Sequence, residues 1–350
     1  MITNCADSHS QMSGRHAGAE KLEEWQGWIF ECLAQSLDEA TLVDTLVRSG
    51  FTPAQAQRDV DVAKASPYLQ SARRSQQRLR KLESLFAIKQ DLAEIRSGRP
   101  GIERRSQLSR EEFRDQYFAT NQPVVICGAL RNSAAFNRWS PEYLAEACGD
   151  VTVEVMGDRN RDPDYEINCD SHRQTVTFAE YVDRILRVGP SNDCYLVANN
   201  GFLDKPQLAA LRAELPQLPQ YLDPAKSKSS VFLWFGPAGT VTPLHHDTMN
   251  ILVAQITGRK RFTLISPEQT PLIYNHVGVY SAVDCEAPDL QRHPLFSNVS
   301  KLVVELAPGE MLFIPVGWWH HVRALQMAIN VSYTNFLFPN CFQWTHPGPE

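Results

Sequence analysis

Two histidines and one aspartate constrain the fold of this chain most. His245 and Asp247 stand in Thr242-Pro243-Leu244-His245-His246-Asp247, and His320 stands far downstream in Ile314-Pro315-Val316-Gly317-Trp318-Trp319-His320. Residues two apart in an extended strand share a face, so a His-x-Asp pair presents imidazole and carboxylate together. Two imidazoles and one carboxylate on one face of a metal leave other positions open, the arrangement of non-haem Fe(II) centres that must take further ligands. Such a centre needs a fold that returns a distant strand to the first. His320 follows the apolar run Met311-Leu312-Phe313-Ile314-Pro315 and precedes Ala328-Ile329-Asn330-Val331-Ser332-Tyr333, a stretch that reads as strand, turn and strand.

The rest of the C-terminal part has the same texture. Short apolar segments separated by turns run from Val124 to Cys127, Val151 to Val155, Tyr195 to Ala198, Val231 to Phe235, Leu252 to Ile256, Arg261 to Ile265, Lys301 to Leu306, Met311 to Ile314 and Ile329 to Tyr333. The fold class expected is mainly β with an α-helical N-terminal region, the β part a double-stranded β-helix of the two-sheet, jelly-roll kind that also describes cupins. At the start of one of these strands Lys260 sits between apolar residues, in Gly258-Arg259-Lys260-Arg261-Phe262-Thr263-Leu264-Ile265. An ammonium avoids burial unless paired. Lys260 is therefore either a gatekeeper on an edge strand or a cation for a dicarboxylate.

Residues 20 to 96 lack strand alternation and read as helices: Glu20 to Gln35, Leu37 to Arg48, Ala54 to Ala65 after the turn Gly50-Phe51-Thr52-Pro53, and a long helix from Pro67 to near Arg96. Ser97-Gly98-Arg99-Pro100-Gly101 is a stop and linker. Three regions follow: a disordered tail over 1–19, a helical domain for assembly or substrate docking over 20–100, and a catalytic domain over 101–350. In the long helix Leu79, Leu82, Leu85, Phe86, Lys89, Leu92 and Ile95 form an apolar stripe, expected to pack on the preceding helices or the catalytic domain; a dimerisation or partner helix is the other reading. The basic run from Arg73 to Lys81 has no interleaved aromatic residue and reads as a solvated helix face.

A chain of 350 residues with 43% hydrophobic content buries a large core. Its formal net charge of −6 makes no case for nucleic acid as a partner. No apolar run approaches the roughly 18 residues of a membrane span, and Met1 to Ser13 is polar, so no membrane association and a cytoplasmic location are expected. The eight cysteines show no Cys-x-x-Cys pair and are expected to be free thiols in a reducing compartment.

The segments Thr242 to Pro267 and Pro308 to Val322 resemble the two signature blocks of the jumonji-C (JmjC) oxygenases, in particular the small hydroxylase branch that contains the asparaginyl hydroxylase of hypoxia-inducible factor. Asn121-Gln122-Pro123-Val124-Val125-Ile126-Cys127-Gly128 is similar to the opening strand of these domains, and the resemblance covers residues 108 to 338. It implies Fe(II), 2-oxoglutarate and O2 as cofactors, with His245, Asp247 and His320 as both metal ligands and catalytic centre. The neighbours His246 and His321 are left out, the first by strand alternation and the second because the family's ligand directly follows the tryptophan. The resemblance also implies that Lys260, Thr242 and Tyr195 bind the distal carboxylate of 2-oxoglutarate as a charge-assisted clamp. Asn250, one position short of a family asparagine, and Ser332, where the branch has an asparagine, are further cosubstrate contacts on this reading. Substrate contacts are expected from the exposed loop Gly157 to Asp164, from Asn199-Asn200-Gly201-Phe202, and from Trp234, Trp318 and Trp319 at the mouth.

The implied function is hydroxylation of a side chain of a protein or peptide, coupled to oxidative decarboxylation of 2-oxoglutarate. A small-molecule substrate is the alternative, and a homodimer through the N-terminal helices is a further expected partnership. Two other classes compete: a cupin metalloenzyme that works without 2-oxoglutarate, as an isomerase or simple dioxygenase, and a non-catalytic binding protein. Lys260 argues against the former and the intact triad against the latter.

Overall fold

The computed structural model describes residues 19–97, 101–197 and 201–345. The tail expected at 1–19 lies outside these residues except for Ala19, where the first helix begins. The chain divides into two compact units at Arg96/Ser97, the short segment Leu290–Leu295 grouping with the first.

Helices α1 (Ala19–Ala34), α2 (Glu39–Arg48), α3 (Pro53–Ala65) and α4 (Leu69–Ser97) make the first unit. Their starts are set by side chains that satisfy first-turn N–H groups. Asp38 accepts from the amides of Ala40 and Thr41, and Thr52 forms a reciprocal capping box with Gln55 ahead of α3, whose first residue is Pro53. Trp25, Trp28, Ile29, Leu33, Leu42, Leu46, Val60 and Leu69 close a core. Only the beginning of α4 takes part, because 29 residues at about 1.5 Å each far outrun α1 to α3. The apolar stripe expected to be packed is consequently exposed, from 37% at Phe86 to 78% at Ile95.

The second unit holds β1 (Glu103–Arg105), β2 (Val124–Cys127), β3 (Thr152–Met156), β4 (Arg173–Thr177), β5 (Val231–Gly236), β6 (Val241–His246), β7 (Ile251–Thr257), β8 (Lys260–Ile265), β9 (Leu302–Leu306), β10 (Glu310–Ile314), β11 (Trp319–Ala324) and β12 (Ala328–Tyr333). Six strands form one sheet in the order β1-β2-β10-β7-β12-β5, four form a second in the order β6-β11-β8-β9, and β3 pairs with β4. All pairings are antiparallel except β1 with β2. The two larger sheets face each other across Val125, Val253, Phe262, Leu264, Leu306, Leu312 and Ile314, which is the jelly roll expected from the strand pattern. The other face of the six-stranded sheet is covered by a larger apolar cluster, to which the helix Phe178–Val188 contributes Phe178, Tyr181, Val182 and Ile185 at spacings of three and four.

Several expectations need correction. β1, β4 and β11 are additional strands, the strand expected to carry His245 and Asp247 is β6 but ends at His246, and Tyr195 and Leu196 make only isolated bridges to Met156 and Phe235. His320 is not in a turn: Gly317, at φ 78°, turns the chain, and His320 is the second residue of β11. Cys32 is disulfide-bonded and so departs from the expected free thiols, whereas Cys127, Cys148, Cys169, Cys194, Cys285 and Cys341 are free. No helix among the described residues is long and apolar enough to cross a membrane.

Candidate active site

β6 and β11 lie side by side and antiparallel, with His245 opposite His320 and the ring centroids 4.1 Å apart. Asp247 follows the last residue of β6, and its backbone carbonyl accepts from the Gly317 amide at 3.0 Å, which ties this arm to the turn that launches β11. One donor atom from each of His245, Asp247 and His320 can be chosen so that all three lie within 4.8 Å of one another, and His320 Nε2 stands 3.3 Å from Asp247 Oδ2.

The imidazoles are pre-set for coordination. His245 Nδ1 donates to the Pro243 carbonyl at 2.8 Å and His320 Nδ1 to the Trp318 carbonyl at 2.9 Å. A carbonyl only accepts, so each Nδ1 carries the proton and each Nε2 keeps a lone pair for a metal, oriented as such ligands are in general. Burial, reinforced by the neighbouring His320, pushes His245 down to about 4, keeping it neutral and able to ligate at physiological pH. Burial alone would raise the Asp247 carboxyl, but the His320 ring 3.3 Å away and the other nearby imidazoles outweigh it and leave its pKa below the ordinary value. Two imidazole nitrogens and one carboxylate suit a divalent ion. The rejected neighbours point elsewhere. The ring of His246 lies edge-on to Trp319 at 4.7 Å and to Trp344 at 4.9 Å, and His321 is buried, its pKa lowered by that burial, beside Glu286.

A bulge completes the site. Between the pairs His320↔His245 and Val322↔Thr242, β11 advances two residues while β6 advances three. Strict alternation would put Thr242 and His245 on opposite faces; the extra residue puts both on the inner face. Thr242 is there within hydrogen-bonding reach of the Tyr195 phenol. Tyr195 in turn accepts from Lys260 Nζ at 2.8 Å, and its ring lies 5.9 Å from Trp234, whose Nε1 donates to Ser332 Oγ at 2.8 Å. Gly236 permits this packing, since a Cβ there would stand 2.6 Å from Tyr195 Cδ2. Along β8, Lys260 lies opposite Ala324 and Leu264 opposite His320, so the lysine enters the barrel four residues, about 13 Å, from the triad level.

Lys260 is only 2% exposed, and no acidic group is among the charges acting on it. Burial, aided by the nearby Arg159 guanidinium, pushes its pKa down to about 7. The rings of Tyr195 at 5.1 Å and Trp234 at 5.9 Å offset part of the desolvation. A buried ammonium without a counter-charge is costly, and a carboxylate is the group that would compensate it. The residues thus fit a 2-oxo dicarboxylate reaching from a metal to Lys260.

Other sequence expectations have different outcomes. Asn250 does not join the Lys260 cluster: its Oδ1 accepts from the Val316 amide at 2.8 Å and its Nδ2 donates to Asn340 Oδ1 at 2.9 Å, so it links the loop after Asp247 to the turn before β11. Trp318 belongs to the core between the sheets and Trp319 to a cluster with Leu244 and Phe296, so neither lines a mouth. Asn199 and Asn200 lie outside the described residues. The loop Gly157 to Asp164 is not merely exposed, because Arg159 is 1% exposed. Its guanidinium pairs with Glu166 at 2.5 Å, donates to the Val241 carbonyl at 2.8 Å and lies 5.2 Å over Tyr195. Arg159, Asn340 and Gly236 were invisible in the sequence, since nothing local distinguishes a buried arginine in a charged loop.

Residues 109–338 match the family described as Cupin-like domain. The chain is 34% identical over 233 residues to Lysine-specific demethylase 8 of Xenopus tropicalis, covering 64% of this chain and 50% of that protein. Lysine-specific demethylase JMJ30 of Arabidopsis thaliana is 33% identical over 240 residues, covering 66% and 54%. The tRNA wybutosine-synthesizing protein 5 of Gallus gallus is 27% identical over 240 residues, covering 65% and 74%. The chain thus spans about half the length of the two demethylase relatives. The match runs from residue 109, between β1 and β2, through β12 and so takes in both larger sheets except β1, and on that ground the chain belongs to the cupin-like (JmjC) domain family.

Proposed function

We propose that the chain is an Fe(II)- and 2-oxoglutarate-dependent dioxygenase that hydroxylates a side chain of a protein or peptide. His245, Asp247 and His320 hold the metal, and Lys260 with Tyr195 and Thr242 anchors the distal carboxylate of the cosubstrate. Ser332 acts through Trp234, which it orients against Tyr195. Bound iron supplies dioxygen activation, in a reaction that converts 2-oxoglutarate, O2 and a C–H bond into succinate, CO2 and a C–OH group. The side chains orient these reactants and shield the centre from water, while the carbonyls of Pro243 and Trp318 fix the two imidazole rings.

The observation that carries this reading is Lys260. A cupin that worked without 2-oxoglutarate would have no use for a buried ammonium facing the same interior as the triad. A protein or peptide is favoured as substrate because the relatives above 30% identity described here carry names for protein-directed activity, and the net charge of −6 offers no general attraction for nucleic acid. We assign residues 20–100 to assembly or substrate docking.

The test is succinate formation from 2-oxoglutarate with Fe(II), with and without a peptide library, wild type against His245→Ala. Turnover raised by a peptide that gains one oxygen supports hydroxylation, and release of formaldehyde from a methylated peptide would replace it with demethylation. No succinate above the His245→Ala background would remove the oxygenase reading.

A further inference from the structure

The ion pair with Glu166 does not by itself explain where Arg159 sits. Its guanidinium joins the two segments that deliver the hydroxyl groups beside Lys260. Nη1 donates at 3.1 Å to Oδ1 of Asn192, three residues before Tyr195, and Nη2 donates at 2.8 Å to the carbonyl of Val241, one residue before Thr242. Asn192 Oδ1 also accepts from the Val241 amide at 2.8 Å, so arginine, asparagine and strand close a ring of three hydrogen bonds. The Val241 carbonyl takes a second donor, the Tyr165 hydroxyl at 3.3 Å. The guanidinium lies 4.2 Å from the ring of Tyr165 and 5.2 Å from that of Tyr195.

Only an arginine can make this link. A guanidinium is a flat fork with donors in several directions, whereas an ammonium is a single point on a flexible stem. Glu166, paired with Nη2 at 2.5 Å, offsets the charge within the cluster. Val241 lies just beyond the register shift between β6 and β11, paired with Arg323. A bulge interrupts the ladder and leaves the strand locally less constrained, so the ring fixes from outside the strand pair the very arm that turns Thr242 inward. Tyr195 and Thr242 stand within hydrogen-bonding reach of each other, and Tyr195 accepts from Lys260, so a shift of either segment would open the cluster. On the reading that this cluster binds 2-oxoglutarate, we propose that Arg159 is a positioning residue for the cosubstrate: without touching it, Arg159 holds Tyr195 and Thr242 at the spacing at which both meet the distal carboxylate.

The test is titration calorimetry on the full chain with Mn(II) under exclusion of oxygen, comparing 2-oxoglutarate with oxalate, which chelates a metal but has no distal carboxylate to reach Lys260. Arg159→Lys keeps the charge and loses the fork. It should bind 2-oxoglutarate about tenfold more weakly, the equivalent of one hydrogen bond, with its affinities for oxalate and Mn(II) unchanged. The loss should largely vanish when Arg159→Lys is added to Tyr195→Phe with Thr242→Val, because the hydroxyls it positions are gone; an arginine that only supported the fold would cost the same in both backgrounds. Asn192→Ala breaks the ring but keeps Arg159 and its ion pair, and should give the same pattern at smaller size even if Arg159→Lys fails to fold. Equal losses for oxalate and 2-oxoglutarate, full additivity with the two hydroxyl deletions, or 2-oxoglutarate affinity unchanged in Asn192→Ala would overturn the proposal. A wild type that binds oxalate but not 2-oxoglutarate would instead remove the cosubstrate reading itself, and this inference with it.

Discussion

The pH dependence of 2-oxoglutarate binding follows directly from the burial of Lys260. With its pKa at about 7 the free protein loses this proton as the pH rises through neutrality, while an unperturbed lysine would hold it to about 10.4. A bound carboxylate favours the ammonium and raises that value, so above pH 7 the complex carries a proton that the free protein lacks. Binding must then take up a proton, and affinity falls by about tenfold per pH unit until the pKa of the complex is reached. At pH 8.5 the loss against the low-pH limit is about 30-fold by the same relation. In the ligand-free protein the sign is the usual one for a depressed base. Between about 7 and 10 the unfolded chain binds more protons than the folded one, and stability rises with pH. The assay is titration calorimetry with 2-oxoglutarate and Mn(II) under exclusion of oxygen at pH 6.5, 7.5 and 8.5, in two buffers of different ionisation heat. Wild type should take up close to one proton at pH 8.5. Lys260→Met should bind on the order of 2 kcal/mol more weakly at neutral pH and take up none. Equal proton uptake in wild type and Lys260→Met would refute the assignment of Lys260.

His245→Ala, Asp247→Ala and His320→Ala should each strip the protein of Fe(II) as measured by metal analysis, whereas His246→Ala and His321→Ala should retain it; metal loss on His321→Ala alone would put the register of β11 in error. Tyr195→Phe and Thr242→Val should raise the KM for 2-oxoglutarate severalfold, less than Lys260→Ala, with metal content unchanged. Asn250→Ala, which leaves the Val316 amide without its acceptor, should lower stability by about 1–3 kcal/mol in a denaturant melt with little change in that KM; a KM effect as large as that of Tyr195→Phe would restore Asn250 as a cosubstrate contact. A chain beginning at Ile102 should keep Mn(II)-dependent 2-oxoglutarate binding, and a soluble truncation that lost it would show that the helices complete the site.

What the sequence by itself determined is what local chemistry encodes. The two-residue period carries the jelly-roll strands, the caps at Asp38 and Thr52 start helices, and the His-x-Asp pair with a distant histidine identifies the donor set, because each signal lies within a few residues of chain. The long α4 could be read as a helix but its environment could not, since an apolar stripe records that a face can be buried and not whether anything reaches it. β11 was poorly legible because two histidines and an arginine blur its alternation, and only pairing with β6 and β8 makes it a strand. The bulge that brings Thr242 onto the face of His245 is a difference in residue count between two strands and has no signature in either alone. Arg159 needed Glu166, Val241 and Tyr195 in space before its burial made sense. The diversion of Asn250 to Asn340 likewise depends on a partner 90 residues away. Local pattern chooses which groups are present; long-range packing decides which of them meet, because a buried polar group settles on whatever partner the fold brings within reach.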